Sequence, residues 1–291
     1  MTDLYTIHGE LPDLDGPVMV IALQGWIDAS AAAATALGAI EESCALTSLA
    51  TFDSDRLIDY RSRRPVMELR DGVNTRLVWH DIELKGGADP AERAVLTLTG
   101  PEPDSQWRGF AAAVASLAQR LGVSKAVALG AYPFACPHTR PSRLSSSSPS
   151  ADVVAGLPFL KNSVDVPAGM SAVLEHALTD AGVPSLGLWV QVPHYVSAMA
   201  YPAASAALLE GLRDVTGITV PHDELDGAAV MMRERIDQLV RANAEHREMV
   251  EQLELAYDAA TDQSMMLGTT EIPTGDDLAA EFERFLRDQP E

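Results

Sequence analysis

The sequence predicts an α/β fold: a mixed, mostly parallel sheet with flanking helices, followed by a C-terminal helical appendage. Three observations predict it. Short continuous apolar runs such as Val18 to Leu23, Ala94 to Thr99 and Ser185 to Val192 read as strands buried on both faces. Between them apolar residues recur at helical spacing, as in Trp107, Phe110, Val114, Leu117 and Leu121. Beyond Pro221 the apolar period becomes seven and acid concentrates, with 18 Asp/Glu against 6 Arg in residues 221–291. The chain therefore divides into an α/β core domain, residues 1–220, and an acidic helical extension, residues 221–291.

Val18 to Leu23 is the clearest first strand. Gly25 turns the chain after it, and Asp28 and Ser30 offer N-cap oxygens to a helix running to about Ser43. Leu46 to Phe52 is the next strand; Pro65 to Arg70 and Arg76 to Leu84 read as a hairpin around Asp71-Gly72, which makes the sheet mixed. Ala94 to Thr99 follows, then a crossover helix from Trp107 that Gly122 stops. Lys125 to Gly130 is a strand ended by its glycine. The three prolines of Tyr132-Pro-Phe-Ala-Cys-Pro-His-Thr-Arg-Pro141 exclude regular helix or sheet. They make a rigid loop holding His138 and Arg140 at a strand's carboxyl end, where open α/β sheets keep binding crevices.

Ser142 to Ser150 reads as a flexible surface loop or a mobile lid. Met170 to Ala181 forms a helix ended by Gly182, Ser185 to Val192 is the last core strand, and Pro202 opens a helix that ends near Gly217. Leu225, Met232, Leu239, His246 and Leu253 interleave with Ala229, Ile236, Asn243, Val250 and Tyr257 as the seam of one long helix. That seam suits packing on the chain's own core as well as on a partner; Asn243 and His246 are polar seam residues of the kind that set register. Thr269 to Gly275 reads as a loop, and Asp277 to Arg287 as a short terminal helix.

The net charge is −21 over 291 residues, with a pI near 4.6. Nucleic-acid binders concentrate cations to displace counterions, so this balance argues against a nucleic-acid partner. No apolar segment reaches the roughly 18 residues of a membrane span. The start Met1-Thr-Asp-Leu-Tyr5 lacks the regions of a secretory signal, and Cys44 and Cys136 are too few for a disulfide framework. The compartment expected is the cytoplasm.

Catalytic signatures are missing: G-x-S-x-G, the P-loop, G-x-G-x-x-G and H-E-x-x-H do not occur. Cys136 and His138 have the residue types of a nucleophile and base, but two positions apart in a proline-fixed loop they are poorly placed to face each other. His138 and His194 with Asp28 or Glu102 have no ligand spacing, so neither metal nor cofactor is expected. Arg61, Arg63 and Arg64 would suit an anion, or pair with Asp53, Asp55 and Asp59 nearby. The turn at Gly25 places helix N-terminal amides at a strand end, a geometry that suits anions, although Trp26 and Asp28 argue against a tight phosphate cradle.

A set of motifs is recognisable together. Leu23-Gln-Gly-Trp-Ile-Asp28, Phe52-Asp-Ser-Asp-Arg56 with Asp59-Tyr-Arg61 and Arg64-Pro65, Gly100-Pro-Glu-Pro103 with Trp107, Tyr132-Pro133 with Pro137-His-Thr-Arg-Pro141, Pro167-Ala-Gly-Met-Ser171, and Pro193-His-Tyr195 with Tyr201-Pro202 resemble the proteasome assembly chaperone 2 family in its bacterial, actinobacterial form. The likeness runs from about Pro17 to Leu225. It implies a sheet similar to those of nucleoside phosphorylases and peptidyl-tRNA hydrolases, no established enzymatic activity, and archaeal and eukaryotic relatives that hold proteasome α-subunits. Archaeal relatives that dock on proteasome rings end in a hydrophobic-tyrosine-any tripeptide. This chain ends Asp288-Gln-Pro-Glu291, so pocket docking of that kind is not expected.

Two functions follow. The first is a non-catalytic interaction protein, assembly-chaperone-like, that forms a homo-oligomer (a trimer, by analogy with phosphorylase-like folds) and engages an unidentified protein partner. The second is an enzyme or sensor for a nucleoside or phosphorylated ligand. Candidates for binding the ligand or partner are Gly25, Asp28, Arg63, Arg64, Glu102, Trp107, Tyr132, His138, Arg140, His194 and Tyr195, none with a catalytic role.

Overall fold

The computed structural model describes residues 4–25 and 27–267; the expected loop at Thr269 to Gly275 and helix at Asp277 to Arg287 lie outside them. Ten strands are present among the described residues: β1 (Tyr5–Ile7), β2 (Val18–Gln24), β3 (Thr47–Phe52), β4 (Val66–Arg70), β5 (Val73–Val78), β6 (Glu83–Ala88), β7 (Ala94–Pro101), β8 (Lys125–Phe134), β9 (Leu144–Ser147) and β10 (Ser185–Pro193). Helices are α1 (Ala32–Ser43), α2 (Ser54–Leu57), α3 (Trp107–Arg120), α4 (Ala151–Ala155), α5 (Met170–Asp180), α6 (Pro202–Thr216), α7 (Asp223–Arg241) and α8 (Ala244–Leu267).

Eight strands form one mixed sheet in the order β1-β3-β6-β7-β2-β8-β10-β9. Its centre, β7-β2-β8-β10, is parallel. The outer pairs are antiparallel, and β3 points the same way as the central four. Alternation along β2 divides the core. Met19 and Ile21 join Phe110, Leu117 and Leu174 of α3 and α5 on one face, while Val18 and Val20 join Ile40, Leu208 and Leu212 of α1 and α6 on the other. Helices therefore cover both faces, and the carboxyl ends of the four parallel strands meet at one rim. Among the described residues no helix is long and apolar enough to cross a membrane.

The structure departs from the sequence expectations in four places. First, Gly130 does not end β8, which continues through Pro133 because β10 stays paired with it as far as Pro193 opposite Phe134. Since β2 leaves β8 after Ala128, the proline sits where one side of the strand is already open. Gly130 instead makes room for the Trp189 ring, which a Cβ there would meet at 2.3 Å. Second, the serine run holds an edge strand, β9, because it pairs with β10 and several of its hydroxyls find partners: Ser148 donates to the Ser185 carbonyl at 2.6 Å and Ser147 to the Glu175 carboxylate at 3.1 Å.

Third, the expected strand Arg76 to Leu84 breaks in two. Its first part, β5, pairs only with β4 as a separate ribbon, and β6 enters the main sheet between β3 and β7. Fourth, the long C-terminal helix breaks at Asn243, whose side-chain oxygen accepts the Glu245 N–H at 2.9 Å and so caps α8. Ile236 of α7 is 2% exposed and, with Leu225, Met232 and Val240, packs on the α1/α6 face of the core.

Candidate functional site

The predicted residues fall into two sets along the rim. At the ends of β2 and β7, the Glu102 N–H donates to the Gln24 carbonyl at 2.6 Å and binds the two strands together. Gly25 follows with φ +148, and an added Cβ would lie 2.8 Å from Arg63 Nη2 and 3.1 Å from Glu102 Cβ, so only glycine fits. Arg63 Nη1 donates to the Glu102 carbonyl at 2.7 Å, and Nη2 lies 3.7 Å from Asp104 Oδ1. The Glu102 carboxylate accepts the Met170 N–H and so anchors the start of α5. Asp28 accepts the Ala33 and Ala34 N–H groups at 2.8 and 3.0 Å as the cap of α1. Ser30 does not cap; its hydroxyl donates to the Val196 carbonyl at 3.2 Å. Trp107 donates its indole N–H to the Pro103 carbonyl at 2.6 Å and packs against the core. Arg64 stands outside this set, exposed at the base of the β4–β5 ribbon.

The second set lies at the ends of β8 and β10. The Tyr132 hydroxyl is 3.2 Å from Ser145 Oγ and accepts the Gln191 amide at 3.2 Å. His138 is 3% exposed. Its N–H donates to the Tyr195 hydroxyl at 2.8 Å, its Nδ1 lies 2.7 Å from the same oxygen, and its Nε2 lies 3.0 Å from Asp237 Oδ1 of α7. With Tyr195 donating its own proton to Nδ1, the Nε2–H is left to donate to Asp237. Burial pushes the Tyr195 hydroxyl well above the usual phenol range. His194 is exposed, its ring edge-on to Tyr195 with centroids 5.3 Å apart.

Arg140 is held by α8. Its Nε and Nη2 donate to the two Asp258 oxygens at 2.8 Å each, and Nη1 to Glu254 at 3.2 Å. The fork-on-carboxylate geometry holds Asp258 below the usual carboxylate range. Thr139 donates to Glu254, Arg143 lies 3.7 Å over the Tyr257 ring, and the Tyr257 hydroxyl donates to the Pro141 carbonyl at 3.0 Å. The loop that presents His138 and Arg140 is thus the seat on which α7 and α8 are fastened.

Sequence reasoning missed Asp237, Arg143, Glu254, Tyr257 and Asp258. The available signal was the i,i+4 spacing of Glu254 and Asp258, which puts both carboxylates on one helix face. Cys136 offers no nucleophile, because burial pushes its thiol up to about 12. Among the described residues no three His, Cys, Asp or Glu side chains gather as a metal site.

This architecture and these motifs have counterparts. The PAC2 family profile matches residues 22–240. A Mycobacterium tuberculosis protein of unknown function is 34% identical, covers 91% of this chain and 92% of its own, and superposes with a TM-score of 0.82. A proteasome-assembly chaperone homologue from the same organism is 32% identical over 80% of this chain and 99% of its own, with a TM-score of 0.74. A PAC2 family protein from Streptomyces avermitilis is 33% identical over 80% of this chain and 99% of its own, with a TM-score of 0.72. No curated protein matches the chain in sequence. By its profile match and by these identities, the chain belongs to the PAC2 family.

Proposed function

We propose that this chain is a non-catalytic interaction protein of the assembly-chaperone kind, a cytoplasmic homo-oligomer that holds a protein partner. The observation that carries the reading is the closure of the β8 loop. Arg140 is spent on Asp258 and Glu254, and His138 on Tyr195 and Asp237, all within one chain. A general base or anion clamp needs a face turned to its substrate, whereas these groups secure helices. The name of the Mycobacterium relative points the same way, toward proteasome subunits as the partner class. Two buried, unpaired cysteines suit a reducing compartment. The α/β core of residues 1–220 supplies the scaffold, and the acidic extension of residues 221–291 supplies surface for contact.

The test is co-sedimentation of the purified chain with unassembled proteasome α-subunits from an actinobacterium. The reading predicts a stoichiometric complex and no turnover of nucleosides, phosphoesters or peptides by the chain alone. Phosphate-dependent cleavage of a nucleoside, with no protein complex formed, would replace this reading with that of a small-molecule enzyme.

A further inference from the structure

The β4–β5 ribbon stands apart from the eight-stranded sheet. At its base the Tyr60 and Trp79 rings meet edge-on, centroids 4.9 Å apart, and His80 Nε2 lies 3.1 Å from the Arg64 carbonyl. Alternation gives the ribbon an apolar face on which Met67 pairs across to Leu77, with Leu69 nearer the turn; past the bulge Val73 pairs with Arg70 on the other face. Their exposures are 52%, 44%, 51% and 61%. A lone two-stranded hairpin is marginal in water, and contiguous exposed apolar surface marks a docking face.

Charge identifies what docks. Residues 61–79 carry five arginines against two acids in a chain of net −21. Arg61, Arg64, Arg70 and Arg76 are exposed, and no ion pair among the described residues engages them. The same chain supplies the complement. Residues 223–267, which form α7 and α8, hold 11 acids against 4 arginines. On α7, Leu225, Met232 and Ile236 face the core, which turns Val230 and Met231 outward at 61% and 72% exposure, beside the exposed Glu234. Among the described residues nothing covers the ribbon or the helix face in one copy, and the match is made between copies.

We propose that the β4–β5 ribbon of one copy docks on the outward face of α7 in the next. Met67 and Leu77 lie against Val230 and Met231, and Arg61 and Arg64 at the ribbon's base meet the acids of α7 and α8. This rests on the self-association in the reading above and names its surface. Such an interface is head-to-tail, using a different patch on each copy, and gives a ring where its rotation closes.

Two double variants test it by analytical ultracentrifugation at micromolar concentration: Met67→Asp with Leu77→Asp in the ribbon, and Val230→Lys with Met231→Lys on α7. The wild type is expected to sediment as an oligomer and each double variant as a monomer with unchanged circular dichroism. An equimolar mixture of the two should give a 1:1 heterodimer and nothing larger, because each supplies the one patch the other lacks. If a double variant fails to fold, Leu77→Ser and Met231→Gln replace it and should each weaken association by about tenfold or more. A wild-type oligomer that survives both double variants, or a mixture that stays monomeric, overturns the surface while leaving self-association standing. A monomeric wild type overturns self-association itself.

Discussion

Glu175 is 6% exposed on α5, and desolvation lifts its carboxyl to about 7, against the pull of the Ser147 hydroxyl that donates to it. Its folded value lies above the unfolded 4.5. The folded chain therefore keeps a proton that the unfolded chain releases, and stability is lost as pH rises from 4.5 through 7, by up to about 3 kcal/mol. Glu175→Gln removes that loss. Thermal unfolding is expected to show the variant gaining on wild type from pH 5 to pH 8, and a gap independent of pH contradicts the assignment. The thiols give a second expectation at this scale. Cys44 and Cys136 are both buried with raised pKa, so Ellman's reagent at pH 8 should find neither in the native protein and both after denaturation. Individual residues were legible in the sequence where their role is local, as with Asp28 capping α1. Gly130 was not, because its reason is the ring of Trp189, 59 positions away in sequence and adjacent only once β8 and β10 pair.

Among elements, α8 depends most on named side chains. It meets the β8 loop through Arg140, Arg143 and Thr139 rather than through a broad apolar stripe: Val250 is buried, but Leu255 is 72% exposed. Arg140→Ala is expected to speed amide hydrogen exchange in residues 249–261 while leaving that of β2 and β8 unchanged, and high salt should do the same to wild type. Uniform slow exchange in the variant would mean that α8 is held by packing alone. The seven-residue period predicted a sticky stripe correctly for α7, where Ile236 sits at the core. It read through the break at Asn243 because an asparagine that caps a helix and one that sets register occupy a seam position in the same way. The serine-rich β9 was hidden for a related reason. Polarity reads as solvent contact, and only the neighbouring strand and α5 reveal that the Ser145 and Ser147 hydroxyls find partners inside.

For the molecule as a whole, the sheet and its two helical layers were legible because strands of continuous apolar sequence report burial on both faces, and the family because its motifs recur as a set. The partners that α7 and α8 bring to His138 and Arg140 were not, since they arrive from residues about 100 or more positions later. Those contacts support the central claim, that the rim binds the chain's own helices rather than a small molecule. A ligand occupying the rim at a hundredfold excess over its dissociation constant would add about 2.7 kcal/mol of stability. The direct measurement is a thermal-shift series over nucleosides, nucleotides and inorganic phosphate, run on wild type and on Arg63→Ala. The account predicts no specific stabilisation of either protein. A nucleoside- or phosphate-dependent rise in the wild-type melting temperature that Arg63→Ala abolishes would contradict it.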